Sequence, residues 1–192
     1  MELMDAIYQR RAVRQYNPGE IPPEIVWKLL AAAVQAPSPL NFQPWSFAVF
    51  SGAERLAGYS ARIKEFLAAT LPPLYEMFEH TSHMNQPGYN VFHSAPVLVV
   101  ICAKSQGYNP NEACAMAAQN LLLAAHGFGL ATCPVGFVRA WLRLPEIKRE
   151  LGIPHGHDPV FPLVLGYPAA ESVRVDRRPP EVIVWKRPDD PV

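Results

Sequence analysis

The chain has 192 residues, and 17 Lys and Arg balance 17 Asp and Glu, so its formal net charge is zero. Bulk charge therefore gives no hold to nucleic acid or an anionic membrane, and no apolar stretch is long enough to cross a bilayer. Hydrophobic residues make up 49% of the chain, which suits one domain over residues 1–192 with a sizeable core.

The N-terminus, Met-Glu-Leu-Met-Asp, is acidic and already helical in pattern, unlike a secretory signal. Leu3, Met4 and Ile7 fall at helical spacing and predict a short helix that ends near Arg10 and Arg11. Pro22 or Pro23 opens a second helix. Its apolar face is Ile25, Val26, Leu29, Leu30 and Ala33, and Pro37 stops it. Trp45 to Phe50 reads as an aromatic-rich strand. Residues from Ala53 to about Phe66 read as helix, with Leu56, Ile63, Phe66 and Leu67 on the buried side. Within residues 72–92, Tyr75, Met77 and Phe78 suggest a helix, and His80 to Gly88 a mobile loop or cap.

The β-branched run from Pro96 to Ala103 predicts an interior strand covered on both faces. Asn109-Pro110-Asn111-Glu112 is a helix start, with Asn as cap, Pro in the first turn and Glu placed to close a capping box. That helix runs to about His126 and stops at Gly127. Its Ala113, Cys114, Ala115, Ala117 and Ala118 are small enough to let another helix approach closely. Leu130 to Val138 predicts a strand or extended turn, Pro145 to Leu151 a short helix, Val160 to Tyr167 a buried strand, and Val182 to Trp185 a last strand-like run. Helices and strands alternate without a regular βαβ rhythm, so the pattern favours an α+β layered sheet.

Two segments carry chemistry. Arg10, Arg11 and Arg14 form a tight cluster in a neutral chain. Guanidinium forks match phosphate oxygens, and each shielded charge-assisted bond contributes roughly 1.5–3 kcal/mol. A solvated helix end would favour cations as well. The second segment is Ala36-Pro-Ser-Pro-Leu-Asn-Phe-Gln-Pro-Trp45. Pro37, Pro39 and Pro44 stiffen it, and the Asn41 and Gln43 amides can both donate and accept. Such a loop suits a planar ring with carbonyl and imine edges, or a structural loop whose amides satisfy each other. Together the two segments suggest a phosphorylated aromatic cofactor.

These segments resemble the signature of the nitroreductase family of flavoproteins. Ala117 to Leu130 is similar to the family's central helix and the turn after it. Pro162 to Pro168 is similar to its late strand, and Arg177-Arg-Pro-Pro-Glu to its C-terminal arginine motif. The resemblance covers nearly the whole chain. It implies a nitroreductase-like α+β fold, with a mainly antiparallel central sheet flanked by helices, in an intertwined homodimer holding two FMN molecules at its interface.

By position, the resemblance sets Arg10 and Arg14 on phosphate and ring-edge contacts, with Arg11 and Ala12 contributing through the same turn. Arg177 matches the C-terminal phosphate arginine, with Arg178 as the alternative. Pro37, Ser38, Pro39 and Asn41 come from the partner subunit, and Gln43 supports that loop. The backbone of Cys133, Pro134, Val135 and Gly136 faces flavin N5. A further family cation corresponds to Arg62 or Lys64. The chain departs from the commoner pattern at Ala12, where serine is frequent, at Arg14, where lysine is common, and at Val135, where some larger members carry an acid.

The implied activity is FMN-dependent oxidoreduction, with NAD(P)H as transient co-substrate and a nitroaromatic, quinone or similar flat acceptor, in a ping-pong cycle. The flavin carries the chemistry, so no side chain is named as catalytic. The rivals are a specialised member of the fold (flavin fragmentation, dehalogenation or ring oxidation) and a flavin-binding module without turnover.

Other features read as structural. Gly127-Phe128-Gly129 lacks the third glycine of a dinucleotide fingerprint and reads as a helix stop. His80 with His83, and His155 with His157, have no third ligand, so no metal is expected. Cys102, Cys114 and Cys133 are odd in number and apolar in setting, which reads as reduced thiols in a cytoplasmic protein. The Trp45, Phe47 and Phe50 stripe reads as core.

Overall fold

The computed structural model describes residues 2–70, 86, 88–105, 108–170, 172 and 175–188. Most of the segment read as a cap, and His80 and His83 with it, lie outside the described residues. Helix α1 is Leu3–Gln9 and α2 is Pro23–Ala33. Strand β1, Trp45–Ser51, is followed by α3, Ala53–Thr70. Strand β2 is Val97–Lys104, α4 is Pro110–Gly127 and β3 is Ala131–Pro134. Two short helices, α5 (Arg139–Leu142) and α6 (Pro145–Glu150), precede β4, His157–Gly166.

The strands form one sheet in the order β1-β2-β4-β3, with every neighbouring pair antiparallel. Successive side chains of a strand point to opposite faces, and here both faces are covered. Val97, Val99, Ile101 and Ala103 of β2 join α2 and α4 in one core, where Ala113, Ala117, Ala118 and Ala125 are fully buried. Leu98, Val100 and Cys102 face the other way, into a second core with Leu56, Ile63 and Leu67 of α3 and Trp141 and Leu142 of α5. A strand buried on both sides needs no polar alternation, which is why β2 is continuously apolar. Trp45 and Phe47 pack into the first core and Phe50 against the second, as core residues.

Two local expectations change, and one is refined. Asn109 does precede α4, but it sits in the left-handed region (φ 48°) and its side chain caps nothing, so no capping box forms. α4 does stop at Gly127, as expected, through a Schellman motif whose left-handed residue is Gly129. Gly129 takes φ 74°, its N–H donates to His126 O at 3.0 Å, and Leu130 N–H donates to Ala125 O at 2.9 Å. The run Val182 to Trp185 is not a strand. It is exposed, with Ile183 91% and Trp185 77% accessible, and no ladder in this chain receives it.

Candidate functional site

The arginine run begins where α1 ends. Arg10 caps the helix, its N–H donating to Ala6 O at 3.0 Å. Arg11 folds back, and its Nη1 donates to the carbonyls of Tyr8 and Arg10, both at 2.7 Å. Helix C-termini leave carbonyls unpaired, so the first role of Arg11 is to satisfy them. The chain then runs extended along the sheet edge. Ala12 forms a parallel bridge with Thr132, and Val13 N–H donates to Thr132 O at 3.0 Å. Tyr16 bridges Pro168, Asn17 N–H donates to Tyr167 O at 2.8 Å, and Ala169 N–H donates to Gln15 O at 3.0 Å. The arginines are thus fixed to β3 on one side and to the end of β4 on the other.

Past Pro168 the chain returns to the same place. Tyr8, Arg10, Arg11, His126, Asp176 and Arg177 line one cleft of about 830 Å³. Arg178 is exposed and does not line it. An adjoining recess of about 230 Å³ shares Arg10, Arg11 and His126 and reaches Thr132 of β3. Burial, then Arg11 and Arg177, hold the Arg10 guanidinium below its usual range. Among the described residues the ion pairs are Arg62 with Glu150 and Arg143 with Asp158, so Arg10, Arg11, Arg14 and Arg177 are paired with no acid. Asp176 lies in the cleft but has an interaction of its own.

Three polar atoms at this cleft are closed off from solvent with no hydrogen-bond partner: Arg11 Nε, His126 Nε2 and Thr132 Oγ1. Burial first, then Arg10, lowers the pKa of His126 from its ordinary value. Crowded cations and orphaned polar atoms in one concavity are unfavourable alone and are relieved by an anion.

Arg14 is exposed, beyond the cleft. It lies within electrostatic reach of Cys133, Tyr16 and His93. Burial pushes the Cys133 thiol up, with Arg14 and Arg10 acting against it, so at neutral pH this is a packed thiol and not a nucleophile. His93 is pushed down to about 4, by burial and then by Arg14. His93 and Ser94 both take left-handed φ values, 55° and 56°, and the His93 ring meets Tyr89 edge-on at 6.2 Å.

The Tyr89 carbonyl accepts from Lys64 Nζ at 3.0 Å. Arg62 turns instead to α6, making a fork to Glu150 at 2.6 and 2.7 Å and lying over Trp141. Of the two candidate cations, Lys64 is therefore on the side of Arg14. His93 and His126 were not singled out by sequence. The usable signal was a lone histidine in the last turn of an alanine- and leucine-rich helix, and another next to Ala95-Pro96.

The run after β3 offers few backbone donors. Cys133 is in the ladder with Val164, Pro134 has no N–H, and Val135 N–H donates to Pro162 O at 3.0 Å. The Gly136 N–H opens a single 3₁₀ turn and makes no hydrogen bond among the described residues.

The segment Pro37 to Gln43 is not among the residues that line the arginine cleft of its own chain. It is held by Gln43 N–H donating to Ser38 Oγ at 2.9 Å and by Gln43 Nε2 donating to Asn41 Oδ1 at 3.1 Å. Leu40, Asn41 and Gln43 all have φ between 47° and 56°, an unusual cluster for residues with side chains. Leu40 projects into solvent, and Phe42 meets Tyr108 edge-on at 6.0 Å. The loop is rigid, exposed and partly satisfied by its own amides. No group of three or more His, Cys, Asp or Glu that could hold a metal occurs among the described residues.

Comparison with known proteins bears on the family and the fold. The family model described as "Nitroreductase family" matches residues 7–167. A Methanothermobacter thermautotrophicus protein, provisionally named NADH dehydrogenase/NAD(P)H nitroreductase, is 31% identical over 88% of this chain and 78% of its own length. An iodotyrosine deiodinase from Haliscomenobacter hydrossis is 28% identical over 87% and 79%. The crystal structure of a nitroreductase with bound FMN from Bacteroides fragilis superposes with a TM-score of 0.80, at 25% identity, over 96% of this chain and 98% of that one. The antiparallel layered fold, the arginine segment bound along its edge and the match over residues 7–167 lead to one assignment: the chain belongs to the nitroreductase family.

Proposed function

We propose that this oxidoreductase binds FMN with the phosphate among Arg10, Arg11 and Arg177, and uses NAD(P)H to reduce nitroaromatics, quinones or similar flat acceptors by a ping-pong cycle. The observation that carries the reading is the gathering of Arg10, Arg11 and Arg177 in one cleft with no acid paired to them among the described residues. The residues present fit a phosphorylated flavin. Guanidinium forks suit the phosphate, the unbonded Gly136 N–H suits a ring nitrogen, and Arg14 supplies positive charge beside the ring-edge position. When bound, the flavin supplies hydride acceptance and donation.

The chain's own residues do the rest. Arg10 and Arg177 bind the phosphate, and Arg11 holds the end of α1 so that Arg10 keeps its direction. Arg14 favours negative charge developing at the adjacent ring edge, by fixed electrostatics. Cys133, Pro134 and Val135 form a stiff backing, two of them closed off from water, and Ala12 lends backbone and no hydroxyl. Pro37, Ser38, Pro39, Asn41 and Gln43 do not line their own chain's cleft. A second copy brings them, in a homodimer with two such sites.

The surface supports that assembly. Leu3, Ile7 and Tyr8 of α1, Trp27, Phe128 and the run from Val182 to Trp185 are exposed apolar side chains that a partner subunit would cover. Sedimentation should show a dimer at micromolar protein. Ile183→Asp, which burdens nothing in the single chain, should shift the profile toward monomer. An unchanged profile would remove the tail from the interface.

The function is tested by anaerobic addition of NADH or NADPH to FMN-loaded protein. The visible flavin band should bleach, and it should recover on adding a quinone or nitroaromatic. A spectrum indifferent to both nucleotides would leave a binding module without turnover. No described helix is long and apolar enough to cross a membrane, and the cytoplasm is the compartment we propose.

A further inference from the structure

The recess beside the arginine cleft contains groups that the phosphate assignment does not use. His126 closes α4 at the C2 position of its Schellman motif, so backbone hydrogen bonds on both sides fix where its ring can reach. Its Nε2 is sealed from solvent without a partner, as are Arg11 Nε and Thr132 Oγ1 nearby, and Thr132 is only 1% exposed. His126 lines both the cleft and the recess. The titratable and charged groups that share the cleft with it are Tyr8 of α1, Arg10 and Arg11 of the following turn, and Asp176 and Arg177 of the C-terminal segment.

We propose that His126 is a further member of the phosphate site, neutral while the cleft holds no anion and taking up one proton as a phosphate dianion settles among Arg10, Arg11 and Arg177. This rests on the phosphate reading of the cleft. His126 Nε2 is closed off from water, Arg10 is the charge that acts on the imidazole, and Arg11 and Arg177 line the same cleft. A dianion offsets about two positive charges and so weakens the field that keeps the ring neutral. An atom closed off from water also needs an opening. A dianion that draws the Arg10 side chain toward itself provides it, and leaves an imidazolium N–H as a donor to phosphate or to Thr132 Oγ1.

The sign of the linkage follows. The bound form holds one more proton than the anion-free form, so affinity is highest at low pH and falls as pH rises through the bound-state pKa of His126. The phosphate's own second ionisation, near about 6, lies below the window that matters.

The experiment is a fluorescence titration of the FMN-free protein with FMN at several values between about pH 7 and about pH 8.5, for wild type and His126→Gln. Riboflavin, which lacks the phosphate, serves as a second probe. Wild type should bind FMN roughly three- to tenfold more weakly at the upper end, and the variant should show little of that slope. Calorimetry in buffers of different ionisation enthalpy should find close to one proton taken up by wild type and none by the variant. Equal slopes and equal proton counts in the two proteins would overturn the role of His126 and leave the phosphate reading standing. FMN and riboflavin binding with the same affinity would overturn both. The wild-type proton count also serves on its own, should His126→Gln fold poorly.

Discussion

Replacing Arg10 by alanine should lower FMN affinity by roughly 10- to 150-fold, the equivalent of losing one charge-assisted bond of about 1.5–3 kcal/mol. Arg10 is half-buried, paired with no acid, and crowded by Arg11 and Arg177. Such a charge has little reason to stand there except for an anion. Because Arg10 also closes α1 through its backbone, which alanine retains, the helix survives the change. Arg177→Ala should weaken binding by a similar factor. Riboflavin should bind wild type and both variants alike, because the lost contact is to phosphate. FMN titration by fluorescence quenching reads all three. Equal FMN affinity in wild type and Arg10→Ala would remove the phosphate from this cleft.

The second large effect lies in the sheet. Gly166 ends β4, paired opposite Ala131. A Cβ there would fall 2.7 Å from Tyr16 Cδ1 and 2.8 Å from Pro96 Cδ, closer than packed carbon atoms come. Neither neighbour can retreat easily. Pro96 leads into β2, and Tyr16 donates its hydroxyl proton to Val13 O at 2.6 Å. Gly166→Ala should therefore cost about 1–3 kcal/mol through overpacking, a fall of roughly 3–10 °C in Tm. It should also move the segment that carries the arginines, because Tyr16 and Val13 are part of it, so FMN retention should fall together with stability. Gly58→Ala in α3 is the control: nothing lies within 4 Å of its added Cβ, and a helix prefers alanine. A Gly166→Ala protein as stable as wild type would mean that the edge is looser than its packing indicates.

What could be read beforehand divides along physical lines. The apolar run of β2 was legible because an interior strand has no polar face to hide. The apolar face of α2 was legible because its spacing matches a helix. The strand-like reading of Val182 to Trp185 rested on β-branched propensity alone, and propensity supplies no partner for backbone N–H and C=O groups. Asn109 had the right composition for a cap, but its backbone adopts a left-handed conformation that composition does not report. The left-handed Leu40 likewise follows from the closure of its loop and not from any leucine preference.

The candidate site was legible only in pieces. The arginines and the stiff loop announce themselves locally. Arg177 reaching the side of Arg10 is a long-range event, foreseen through family resemblance and not through spacing. His93 and His126 acquire meaning only once the fold places guanidinium groups beside them.

The bond from Val13 to Thr132 has one more consequence. β3 is an outer strand of the sheet, and an unpaired outer rail invites pairing with another molecule. The stretch that presents the cations covers part of that rail. A chain whose first turns have been clipped by a protease would lose its grip on cofactor and, in the same event, bare a sticky border, so proteolytic damage here should appear as turbidity as well as loss of colour.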